Sequence, residues 1–215
     1  MPIAAIDNDI LFKGLCYGLL RDFIAVIPSS IERVGILGAA RFVITAKLRR
    51  ARPSRDLGDL LRCLESFFGK AMILEPTNAE AKMAAEIEFA AQERNVGLDV
   101  GESQLCAIAI SRNIPWIVTG DKRAVRALGV LVSQLPVLSN LIGRFICLEQ
   151  LALALLVAGD AVRVRERVCG DVEVDRSLAI CFSCLDCSAR PEGWAEGLRS
   201  YIEDLRKSAA NMLKA

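Results

Sequence analysis

Trp116-Ile117-Val118-Thr119-Gly120-Asp121 is the stretch on which the reading of this 215-residue chain turns. An apolar run stops on a glycine and a carboxylate. Short apolar runs bounded by turn signals are candidate buried strands. The chain opens the same way: Ile3-Ala4-Ala5-Ile6 runs into Asp7, with Asp9 two residues on. Between them, Leu98-Asp99-Val100-Gly101-Glu102-Ser103 sets Glu102 just ahead of an apolar helical stretch. Open parallel sheets collect ligands outside the carboxyl ends of their strands. Asp7, Glu102 and Asp121 are therefore candidates to converge there. Converging carboxylates repel one another unless a cation lies among them. Hard divalent cations take oxygen ligands. The chain has no histidine, so no imidazole can serve as ligand or general base.

Working outward, residues 3–6 predict a first strand and 10–20 a helix. Residues 23–27 predict a second strand, stopped by Pro28. Ser29 and Glu32 have capping-box spacing, which predicts a helix over 31–48, broken by the Arg-Pro stretch. Leu57, Leu60, Leu61 and Leu64 give 56–68 a helical face. Residues 72–74 predict a short strand. Thr77 and Glu80 form a second capping box, and the Ala- and Glu-rich stretch behind it predicts a helix to about residue 95. A helix over 102–112, a strand over 116–119 and a short helix over 122–128 follow. Strands alternating with helices imply a parallel α/β sheet. Residues 131–133 predict an edge strand. From 138 onward the pattern is mainly helical, interrupted near Gly159 and over 170–175. The division is a domain over 1–135 and a helical C-terminal extension over 136–215.

A chain of this length hides roughly 70% of its unfolded surface. The apolar run over 151–158 is far shorter than the ~20 residues a bilayer needs, so a core or interface helix is expected, and no membrane partner. Its leucines also suit a homo-oligomer interface. The first residues carry no basic flank ahead of an apolar stretch, which points to a cytoplasmic protein. On that ground disulfides are disfavoured among its eight cysteines. Cys16, Cys63, Cys106 and Cys147 read as small core residues. Cys181, Cys184 and Cys187, with Cys169 upstream, lack the paired spacing of a strong zinc site and read as one buried helix face. Net charge is only +1. Local charge is uneven: Arg49, Arg50, Arg52 and Arg55 cluster, and Lys122, Arg123 and Arg126 follow Asp121.

Each candidate has a simpler role to set beside the ligand role. Asp7 or Asp9 can cap the helix that follows, Asp9 being better placed. Glu102 suits the first turn of a helix by the dipole alone. Asp121 after Gly120 is a turn signature, and Asp99 reads as a turn residue. Glu32 is accounted for by its capping box. Thr119 can donate a hydrogen bond to a carboxylate or phosphate. Lys122 and Arg123 are candidates for phosphate contact beside the site.

The segments AAIDNDILF (4–12) and LDVGESQLCAIAISRNIPWIVTGDKRAVRAL (98–128), and their separation, resemble PIN-domain ribonucleases. The resemblance covers roughly residues 1–130. It implies a parallel-sheet α/β/α PIN-like domain that cleaves RNA with Mg²⁺ or Mn²⁺. Asp7, Glu102 and Asp121 fall on the family's acids, as catalytic residues and metal ligands. Asp9 falls where the family often has a small polar residue, near the metal. Thr119, Lys122 and Arg123 would then contact substrate, and an antitoxin protein would be the partner of a toxin of this kind. The family usually has a further Glu early in its second helix; here residues 36–41 contain no acid. A non-catalytic PIN-like module that binds RNA or protein is the alternative.

Overall fold

The structure is a computed structural model that describes residues 1–27, 33–186, 188 and 190–215. Five strands form one all-parallel sheet: β1 (Ala4–Ile6), β2 (Val34–Leu37), β3 (Met72–Leu74), β4 (Trp116–Thr119) and β5 (Phe145–Cys147), in the order β3-β2-β1-β4-β5. β1 lies at the centre. The chain builds outward from it on one side through β2 and β3. It then returns to build β4 and β5 on the other. The gap between β1 and β4 is thus the point where strand order reverses, the place where α/β sheets hold ligands.

Side chains alternate across the sheet with a period of two. Ala4, Ile6, Val34, Ile36, Val118 and Ile146 face one core. Ala5, Leu37, Leu74, Ile117, Phe145 and Cys147 face the other. The first core is roofed by α1 (Asn8–Tyr17), α2 (Leu20–Val26), α3 (Ala40–Ala51), α4 (Leu57–Phe68), α8 (Leu148–Leu155), α9 (Ala161–Cys169) and α10 (Arg176–Cys181). The second is roofed by α5 (Asn78–Glu93), α6 (Val100–Ser111) and α7 (Lys122–Leu131). The last helix, α11 (Pro191–Ser208), serves both, with Trp194 and Leu198 in the first core and Ile202 and Leu205 in the second. The result is a helix layer on each face of the sheet, as α/β alternation requires. Within it, Leu151, Ala152 and Leu155 are buried inside the chain, so α8 spends its apolar face on the core. No helix among the described residues is long and apolar enough to cross a membrane.

Several expectations are corrected. Residues 23–27 are not a strand but the end of α2. Leu20, Phe23, Ile24 and Ile27 are buried while Arg21 and Ala25 are exposed, a helical spacing that the β-branched run conceals. The second strand is instead Val34–Leu37, inside the stretch read as a helix over 31–48; α3 begins only at Ala40. A strand covered on both faces shows no alternation. Gly35 belongs there because a Cβ would come 2.7 Å from Leu74 Cδ1 of β3. The capping box of Ser29 and Glu32 lies outside the described residues. Residues 131–133 end α7 and form no edge strand. The edge is β5, beyond residue 135. Residues 211–214 cover it: Phe145 N donates to Met212 O (3.0 Å) and Lys214 N to Phe145 O (2.7 Å), which removes an open edge. Cys16, Cys106 and Cys147 are core residues as expected, Cys147 from β5 rather than a helix, but Cys63 is exposed. Cys169 and Cys184 form a disulfide, against the expectation of free thiols. Cys184 lies past the end of α10, so Cys181 and Cys184 do not share one helix face; Cys187 lies outside the described residues.

Gly129 on α7 meets the end of α11, where a Cβ would come within 2.8 Å of the Ala209 carbonyl carbon. Gly129→Ala gains about 1 kcal/mol of helix propensity. It also forces a backbone shift costing roughly 1–3 kcal/mol. The thermal midpoint should fall. A midpoint that rises would show the α7–α11 contact to be looser than described.

Candidate functional site

Asp7 is the first residue past β1. Its backbone N donates to Val118 O at 2.9 Å, which pins it beside β4. It holds the N-cap position of α1, yet its side chain makes no capping bond. The carboxylate instead accepts from Thr119 Oγ1 at 3.1 Å. Thr119, 4% exposed, also takes the Asp121 amide on its hydroxyl oxygen at 3.0 Å. One buried threonine thus ties the ends of the two central strands together. Asp121 caps α7, accepting from Arg123 N at 2.8 Å and Ala124 N at 3.3 Å. It also takes the Arg123 guanidinium at 2.7 Å. Glu102 and Asp99 form a reciprocal capping box on α6, with both bonds at 2.9 Å. The cap accounts for where Glu102 sits, and the same position leaves it facing the cleft.

Asp7, Asp9, Glu102, Asp121, Lys122 and Arg123 all line one cavity of about 590 Å³ at the carboxyl end of the sheet. Thr119 lines a small inner pocket with Asp7 and Glu102. Asp9 is not a cap. It pairs with Lys13 and, at 3.1 Å, with Lys47 of α3. Gly120 makes room for this, since a Cβ there would fall 2.3 Å from Asp9 Oδ2. Lys122 turns to the buried Glu149 and to Ser177 Oγ at 3.0 Å. Its ammonium is thereby engaged by the C-terminal part of the chain. Arg123 is exposed at the rim.

Three cleft residues escaped the reading of the sequence. Lys13 is 8% exposed and bridges Asp9 to Asp175, 2.6 Å away. A lone lysine amid the apolar residues of α1, four on from Asp9, was the available signal. Lys47 carries no such signal, since 38 residues separate it from Asp9. Asp175 caps α10 through Leu178 N at 2.8 Å, in a stretch read only as an interruption.

The cleft's charges divide in two. Asp9, Asp121 and Asp175 have basic partners. Burial acts against the charge of Asp121 and Asp175, but Arg123 and Lys13 hold them below the ordinary carboxylate range. For Lys13 burial is outweighed by Asp9 and Asp175, and its ammonium is held above the ordinary range. Asp7, Asp99 and Glu102 have no ion-pair partner among the described residues, Asp99 being engaged in the capping box of α6. Burial, then Asp9, pushes Asp7 up to about 6 against the Thr119 bond. Burial, with Asp99, Asp121 and Asp7 adding to it, pushes Glu102 up to about 8. Among the described residues no three acids or thiols are grouped as a metal cage. Mg²⁺, however, is commonly held by one or two carboxylates with water and substrate phosphate completing the shell. Asp7 and Glu102 fit an open site of that kind.

No protein-family model matches this chain, and no curated protein or solved structure matches it.

The raised pKa of Glu102 has a consequence for stability. Its folded value lies above the ordinary 4.5. The stability it contributes is therefore present below pH 4.5 and is lost as pH rises through about 8. Glu102→Gln keeps an acceptor for the Asp99 amide and removes the charge. In EDTA its thermal midpoint should match wild type at pH 4.5 and exceed it at pH 8.5. Parallel curves for the two proteins would show that Glu102 is solvated and ordinary.

Proposed function

We propose that this chain is a PIN-like, divalent-cation-dependent endoribonuclease acting at the Asp7–Glu102 cleft. The observation that carries the reading is the unbalanced pair. In a cleft where Asp9, Asp121 and Asp175 each have a lysine or arginine, Asp7 and Glu102 have none, and both are pushed toward protonation. Half-buried carboxylates without counter-charge are what a cation site looks like before its cation. The five-stranded parallel sheet and the position of the pair beside the β1–β4 reversal support the same reading.

A bound Mg²⁺ or Mn²⁺ would lower the pKa of a coordinated water and draw charge from a phosphodiester. The chain's own groups do the rest. Asp7 and Glu102 offer carboxylate oxygens, and the Thr119 hydroxyl fixes the orientation of Asp7. Asp121 holds the start of α7 and, with it, Arg123 at the rim. Lys47, with a side chain 38% exposed, presents an ammonium to an incoming phosphate.

The test is cleavage of single-stranded RNA with Mn²⁺. Asp7→Asn preserves size and the Thr119 bond but removes the charge that holds a cation. Wild type should cut, and Asp7→Asn or excess EDTA should reduce cutting to background. Cutting that survives both would contradict the proposal. One specific feature favours the second reading, a PIN-like module that binds without cutting: Lys13 and Lys47 already neutralise Asp9. That reading predicts RNA retained on the protein, uncut under any divalent ion, with retention indifferent to EDTA.

A further inference from the structure

Cys169, the last residue of α9, and Cys184, in the turn after α10, are joined in a disulfide with Cα atoms 5.0 Å apart and a sequence separation of 15. The segment they enclose supplies one wall of the cleft. Asp175 reaches Lys13 and Ser177 accepts from Lys122. The two ends of this segment are held unequally. Past α10, Arg165 donates to the carbonyls of Phe182 (3.0 Å), Ser183 (3.2 Å) and Asp186 (3.0 Å), which ties that turn to α9 without the disulfide. The stretch from Gly170 to Val174 has less. Among the described residues its one side-chain hydrogen bond to the body of the domain is at Asp171, which accepts from Ser54 N at 2.9 Å and from Ser54 Oγ at 3.3 Å, both exposed; Val174, at its end, packs against the first core. The disulfide also lies near the surface. Cys169 and Cys184 are each half-buried, and Cys184 lines an open hollow of about 390 Å³ beside Ile180 and the fully exposed Leu185.

We propose that Cys169–Cys184 is a redox site whose reaction partner is a dithiol reductant, and that its state sets how firmly residues 170–177 wall the cleft. A thiolate of the dithiol attacks Sγ of Cys184 from the hollow. A mixed disulfide forms, and the Cys169 thiolate leaves and takes a proton. The second thiolate of the dithiol then closes its own disulfide and releases Cys184, which is protonated in turn. Two electrons and two protons pass to the cysteines, and the dithiol ends as a disulfide. Opening the ring returns chain entropy to the enclosed segment. The part held by the exposed Asp171 bonds loosens first, and the Asp175–Lys13 pair loses its support. Lys13 then rests on Asp9 alone. The effect on catalysis rests on the cleft reading; the redox site itself does not.

The experiment uses the full chain, purified without reductant. Alkylation and mass spectrometry should find Cys169 and Cys184 blocked before dithiothreitol and labelled after it. Hydrogen exchange over residues 170–177 should then quicken by about tenfold or more, as local opening allows, while α11 is unchanged. Cys169→Ser should show the fast exchange from the start and ignore dithiothreitol. Cys63→Ser, which removes the exposed thiol on α4, should respond as wild type does. Two outcomes overturn the proposal: equal labelling of Cys169 and Cys184 before and after reductant, or release of both thiols with no change in exchange over 170–177. Neither readout depends on RNA being cut.

Discussion

The register between β1 and β4 governs the rest of the site. Ile6 stands opposite Val118, so the next residue of each strand, Asp7 and Thr119, emerge side by side at the sheet's carboxyl end. The amide of Asp7 to Val118 O and the hydroxyl of Thr119 to Asp7 lock that arrangement. A parallel ladder slipped by one residue would send Asp7 to the other face, and the threonine would have no carboxylate to orient. The pairing also places the starts of α1 and α7 next to each other. Asp9 of α1 and Asp121 of α7 therefore open onto the same space.

Electrostatics then sorts the acids gathered there. Buried charge is tolerated where it is paired and hydrogen-bonded. The chain provides Lys13 for Asp9 and Asp175, Lys47 for Asp9, Lys122 for Glu149 and Arg123 for Asp121. Asp7 and Glu102 are left with only neutral donors, a hydroxyl and a backbone amide. That pair of carboxyl groups without counter-charge, in a solvent-reaching cavity, gives the cleft its chemical character. The C-terminal part of the chain takes part in this balance. Asp175, Ser177 and Glu149 all lie beyond residue 135 and engage lysines from α1 and α7.

Much of this could be read from the chain. Runs that stop on a turn residue gave away β1 and β4, because a strand end and a carboxylate coincide there. The capping box of Thr77 and Glu80 marked the start of α5, and both of its bonds form. What failed has a common cause. β2 is buried on both faces and carries a glycine for close approach to β3. α2 is short and β-branched. Neither shows its period within its own length, so each was taken for the other class. Lys47 is helical on either boundary, and nothing in its spacing ties it to Asp9, 38 residues away. Lys13 and Asp175 are joined across more than 160 residues of sequence, a pairing that exists only once the fold brings α10 over α1. The disulfide is of the same kind, since cysteine spacing does not disclose which cysteines meet.

The account turns on Asp7 and Glu102 being an uncompensated pair awaiting a cation. Carboxyl carbon chemical shifts of the two side chains, followed by NMR against pH with and without Mg²⁺, test this most directly. Without the ion, Glu102 should titrate near 8 and Asp7 near 6. With Mg²⁺ both midpoints should move down, since a bound cation favours the ionised form. Titration of both groups in the ordinary carboxylate range, unmoved by Mg²⁺, would contradict it.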